Sequence, residues 1–66
     1  MKKEKKPMLN LKITRIKIGM GQTELSRKIG MYDEAISAYE RGTRVPSIET
    51  CKKIADALGC DVKEIL

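Results

Sequence analysis

Gln22-x-x-Leu25-Ser26-x-x-Ile29-Gly30-Met31-x-x-x-x-Ile36-x-x-Tyr39-Glu40-Arg41-Gly42 is the stretch on which the reading of this chain turns. Leu25, Ser26 and Ile29 recur at helical spacing, Gly30 interrupts the pattern, and Ile36 with Tyr39 resumes it. The spacing predicts a helix over Gln22–Ile29 with Gly21 at its N-cap, and another from Asp33 to Arg41 closed by Gly42. Gly30-Met31-Tyr32 then forms the short turn between them. The glycine supplies a left-handed backbone, Met31 is the buried residue of the turn, and the small Ser26 lets the two helices approach closely at a fixed, steep angle.

On the N-terminal side, a first helix is expected from Met8 or Asn10 to Ile18, stopped by Gly19. It has two apolar sides. Leu11 and Ile18, with Thr14 and Arg15 between them, form one stripe, and Leu9, Ile13 and Ile16 form another on the opposite side. One stripe must face the core; the other calls for a partner, or for Met8 and the preceding residues to fold back over it. On the C-terminal side, Pro46-Ser47 opens a fourth helix, with Ser47 as cap and Glu49 in its first turn. Ile48, Cys51, Ile54, Ala55 and Leu58 make its buried stripe, and Gly59 ends it. Asp61 and Glu64 have capping-box spacing for a last short helix carrying Val62, Ile65 and Leu66. The expectation is an all-α, compact five-helix domain over residues 8–66, preceded by a flexible basic arm at 1–7.

At 66 residues the chain makes one small domain that must use nearly every apolar side chain. No apolar run approaches a membrane span and no leader pattern opens the sequence, so a soluble, cytoplasmic protein is expected. The net charge of +5 suits a polyanion partner. Lys2, Lys3, Lys5 and Lys6 against Glu4, however, place three of those charges in the first seven residues, where a solubilising tail would account for them equally well. With no histidine and two separated cysteines, neither a zinc site nor a disulfide framework is expected. Cys51 and Cys60 fall where small apolar residues belong and read as core thiols. The sequence also lacks a Ser/Lys or Cys/His arrangement and a glycine-rich phosphate loop, which argues against an enzyme. No cofactor or small-molecule ligand is indicated.

Three blocks at the right separations carry a family resemblance. They are Gly19-Met20-Gly21-Gln22-Thr23-Glu24-Leu25, then Ile36-Ser37-x-Tyr39-Glu40-Arg41-Gly42-x-Arg44-x-Pro46-Ser47, then Ile54-Ala55-x-Ala57-Leu58-Gly59. Over residues 9–66 the chain resembles the lambda repressor/Cro (Xre) type of helix-turn-helix protein. The resemblance implies sequence-specific binding of double-stranded operator DNA by a small transcriptional regulator, with the third helix in the major groove. Gln22 and Thr23 stand at the second-helix start, where the family's Gln and the helix N-terminus meet a phosphate. Tyr32, Asp33, Glu34, Ser37 and Ala38 occupy the exposed face of the recognition helix. Arg41, Thr43 and Arg44 lie in the loop that touches the backbone in family members, and Lys28 adds to the phosphate-binding cations. Arg15 and Glu40 match a pair that forms a mostly buried salt bridge between first and third helices in the family.

The chain departs from the pattern at the start of the recognition helix. Tyr32 replaces the usual Ser or Thr cap, and Asp33 and Glu34 replace more typical Gln, Arg, Lys or Ser. Two carboxylates can read cytosine through its N4 donor but repel phosphates, so they contribute discrimination rather than affinity. They also suit a different role, a protein-interaction module such as an antitoxin or repressor antagonist on the same scaffold. The family commonly binds paired half-sites as a two-fold dimer. Without a separate oligomerisation segment, a homodimer would use either the Leu9/Ile13/Ile16 stripe or the C-terminal Ile65-Leu66.

Overall fold

Four α-helices and one closing 3-10 turn follow in chain order in the computed structural model, which describes residues 7–66. The helices are α1 (Leu9–Ile18), α2 (Gln22–Lys28), α3 (Ala35–Arg41) and α4 (Ile48–Leu58), and the turn is Val62–Glu64. Each element sends one large aliphatic side chain to a common centre. Leu11 of α1, Leu25 of α2, Ile36 of α3, Ile54 of α4 and Ile65 after the turn are all fully buried. Ala35, Tyr39, Cys51, Ala55 and Leu58 fill the space around them. No strand occurs among the described residues.

The glycine stops read from the sequence act at the backbone level. Met20 N–H donates to the Arg15 carbonyl, Met31 to Ser26, Thr43 to Ala38 and Cys60 to Ala55. Each is the six-residue closure that satisfies the orphan carbonyls at a helix C-terminus. At the α4 start, the Ser47 hydroxyl accepts the Thr50 N–H at 3.1 Å, as its position before Ile48 leads one to expect.

Several expectations need correction. The fifth helix is a 3-10 turn: Glu64 N–H reaches the Asp61 carbonyl and Ile65 N–H reaches Val62, both at 3.0 Å. These i→i+3 closures leave no α-helical bond to propagate, and Asp61 makes no side-chain cap, so the capping-box spacing is not used. Ile65, offered as part of a surface, is in the core. Cys51 is buried as expected, whereas Cys60 is only partly so, and Ile48, expected in the buried stripe of α4, is exposed at its solvent-facing start. On α1, Leu11 and Arg15 face inward, but Ile18 at the end of their stripe is 47% exposed. Leu9, Ile13 and Ile16 are open, and Met8 packs against the core instead of over them, its N–H held by the Tyr39 carbonyl at 3.3 Å. The lysine-rich arm, apart from Pro7, lies outside the described residues.

Candidate nucleic-acid interface

Ser26 sets the geometry of the α2–turn–α3 unit. Its side chain has no solvent exposure. The hydroxyl donates to the Gln22 carbonyl at 2.9 Å, one turn back in α2, and accepts the Ile36 N–H of α3 at 3.1 Å. A single small polar side chain therefore joins both helices, and a larger one would push them apart. Gly30, at φ +77°, turns the chain through a left-handed conformation that other residues rarely adopt.

The third helix begins two residues later than the sequence suggested. Ala35 N–H closes a turn onto the Tyr32 carbonyl at 3.0 Å, so Tyr32, Asp33 and Glu34 form the approach to α3 and not its first turn. All three are exposed. Arg27, which sequence reasoning missed, pairs with this approach segment. Its guanidinium donates to both oxygens of Asp33, Nε to Oδ1 at 2.9 Å and Nη2 to Oδ2 at 3.0 Å. The hydrogen bond from Arg27 holds the Asp33 carboxyl below its ordinary value of 3.8, and the same bond pushes Arg27 up. Asp33 is thus an answered charge. The pair spans a turn and follows no helical period, so only opposite charges at the two ends of a predicted turn could have signalled it.

Among the remaining candidates, Thr23, Lys28, Arg41, Thr43 and Arg44 are exposed, while Gln22 and Ser37 are half-buried. Arg41 donates to the Ser37 hydroxyl one turn earlier, so these two present a joint polar edge. Ala38 does not belong to the exposed face. It is 6% exposed, because the loop after α3 folds onto it. Its carbonyl accepts the Thr43 N–H at 3.0 Å, the Thr43 hydroxyl at 3.2 Å and the Arg44 N–H at 3.4 Å. Ala38 therefore shapes the loop that carries Thr43 and Arg44.

Arg15 and Glu40 do form a buried pair, 8% and 5% exposed. Arg15 Nε meets Glu40 Oε2 at 2.6 Å and Nη2 meets Oε1 at 3.1 Å. A third donor, Nη1, reaches the Met20 carbonyl at 2.9 Å. Gln22 joins the network by donating from Nε2 to Glu40 Oε1 at 2.9 Å. The side chain expected at a phosphate is thereby fixed at the α2 N-terminus by the salt bridge. There, Gly21 N–H is also answered, by Glu24 Oε1 at 3.2 Å.

Comparison with known proteins matches this arrangement. The family described as Helix-turn-helix covers residues 11–65, the stretch from the first core leucine to the last core isoleucine. The chain belongs to the lambda repressor/Cro (Xre) type of helix-turn-helix proteins. Within helix-turn-helix proteins it is 33% identical over 52 residues to the cryptic phage CTXphi transcriptional repressor RstR of Vibrio cholerae. The match takes in 79% of this chain and 47% of the repressor, so the chain spans about half the length of that relative. Among solved structures it is similar to the restriction-modification controller protein C.AhdI from Aeromonas hydrophila, with 28% identity and a TM-score of 0.80 over 86% of this chain and 83% of that one. It is also similar to the hypothetical transcription factor NHTF from Neisseria, with 26% identity and a TM-score of 0.81 over 100% and 85% of the two chains.

Proposed function

We propose that this protein is a sequence-specific double-stranded-DNA-binding regulator of transcription, acting in the cytoplasm, with α3 and the turn before it lying in the major groove. The observation that carries the reading is the polar surface from Gln22 to Arg44, displayed on a helix pair that Ser26 locks in place. Lys28, Arg41 and Arg44 supply cations for flanking phosphates. Gln22 and Thr23 meet a phosphate at the start of α2. Tyr32, Glu34 and Ser37 face the bases, and Asp33 orders the turn through Arg27. Repression is the expected sign of regulation, in keeping with the repressor RstR. The carboxylates favour the competing protein-interaction module less than they seemed to, because Arg27 answers one of the two.

Paired half-sites require a homodimer, and the exposed Val45, Ile48 and Leu66 offer its surface. Val45 and Leu66 line a groove with Met8, Pro46 and Cys51. The test is a fluorescence titration of the full chain with the duplex upstream of its own gene and with a scrambled duplex, at two salt concentrations. Tight, salt-sensitive preference for the upstream duplex supports the proposal, and equal or absent binding to both refutes it. Sedimentation as a monomer at every concentration, with and without that duplex, would remove the dimer.

A further inference from the structure

α1 turns a second face outward. Leu9, Ile13 and Ile16 are 59%, 51% and 57% exposed. At about 100° per residue they fall within about 60° of one another on the helix, roughly opposite buried Leu11 and Arg15. Lys12 borders this stripe on one side and Lys17 on the other, both exposed, and the helix contains no carboxylate. The spacing i, i+4, i+7 is the one by which a helix anchors a partner helix.

We infer that this face docks an amphipathic helix of another protein, one whose apolar stripe is flanked by aspartate or glutamate. The flanking charges select the occupant. A second copy pairing α1 on α1 would bring Lys12 and Lys17 against the same lysines whichever way the helices ran, with no acid on either to answer them. A lipid surface fits less well. The stripe is three side chains wide on a ten-residue helix whose opposite side is committed to the core, and the chain has no Trp or Phe to seat in a headgroup layer. An acidic-flanked helix satisfies the isoleucines and both lysines together. The inference stands independently of the DNA reading, since it uses none of the residues assigned there.

The probes are three synthetic helical peptides with the same leucine stripe and flanks of Glu, Gln or Lys, titrated against the full chain by fluorescence anisotropy. The Glu-flanked peptide is expected to bind about tenfold or more tighter than the Gln-flanked one, since opposite charges across an interface favour the partner that carries them. Ile13→Ser/Ile16→Ser abolishes its binding while helical circular dichroism is retained, because both positions are exposed. Lys12→Glu/Lys17→Glu inverts the order so that the Lys-flanked peptide binds best. Absence of binding, indifference to the flanks, or survival of binding in the Ile13→Ser/Ile16→Ser variant overturns the inference. It is equally overturned by sedimentation of the chain with phosphatidylserine vesicles that Ile13→Ser/Ile16→Ser abolishes, or by a dimer that the same variant dissociates.

Discussion

Glu40→Ala is the most informative single substitution for the scaffold. It removes two of the three hydrogen bonds made by the Arg15 guanidinium and leaves the Met20 carbonyl as its remaining partner. Arg15 is 8% exposed and cannot rehydrate without opening the α1–α3 contact. Breaking such a buried pair on one side costs about 3–5 kcal/mol. A chain of 66 residues holds about 3–10 kcal/mol in total, at about 0.05–0.15 kcal/mol per residue. The variant therefore sits at or near the unfolding threshold at 25 °C. Urea and thermal unfolding followed by circular dichroism at 222 nm measure the loss, and a midpoint lower by more than about 10 °C is expected. Replacing both partners by apolar residues of similar volume, Arg15→Met/Glu40→Leu, removes the stranded charge. The double variant should recover most of the stability or exceed the parent, since such swaps range from neutral to stabilising by about 1–4 kcal/mol. A loss below about 1 kcal/mol in Glu40→Ala would mean that water reaches the pair as it does on a surface, and the reasoning would fail.

Other consequences follow from the same contacts. Asp33→Ala frees Arg27 for a phosphate, so affinity should rise on all duplexes and the slope of log K against log salt should steepen by about 0.9; a changed base preference at constant slope would show that Asp33 reads a base instead. By NMR titration, the Asp33 carboxyl should ionise below 3.8 and return toward that value in Arg27→Gln. Its contribution is present above the unfolded value and lost as pH falls through the lower folded one, and a normal titration in the parent would contradict the pairing. Removing residues 1–6 takes away four lysines and one glutamate, and should weaken binding to every sequence while flattening the salt slope by up to about 3–4. An unchanged slope would retire any role for the arm. Burial pushes the Cys51 thiol up, so it should react with a disulfide reagent at pH 8 only as fast as the protein opens, and urea should release it.

Which parts were legible in the sequence has a physical pattern. Glycines that end helices, a small serine between two helices, and the Arg15–Glu40 match all depend on local chemistry or on a recurring spacing, and the fold realises each of them. The Arg27–Asp33 pair depends on how a turn closes in three dimensions, and no period of the chain encodes it. Ala38 was misplaced for a related reason: its position on the helix looks outward, but the loop after α3 returns to cover it. The final segment carried the right capping residues, yet those residues were not decisive. Ile65 is fully buried there, and a tight 3-10 turn is what delivers it to the core.

Selection of duplexes from a randomised pool by the full chain, followed by sequencing, tests the central claim most directly. The expected result is an enriched two-fold motif whose half-sites are one helical turn of DNA apart, about 10 base pairs centre to centre, with base preferences that shift when Glu34 or Ser37 is replaced. A pool that remains random after repeated rounds, or a motif indifferent to both substitutions, would show that the surface from Gln22 to Arg44 does not read DNA.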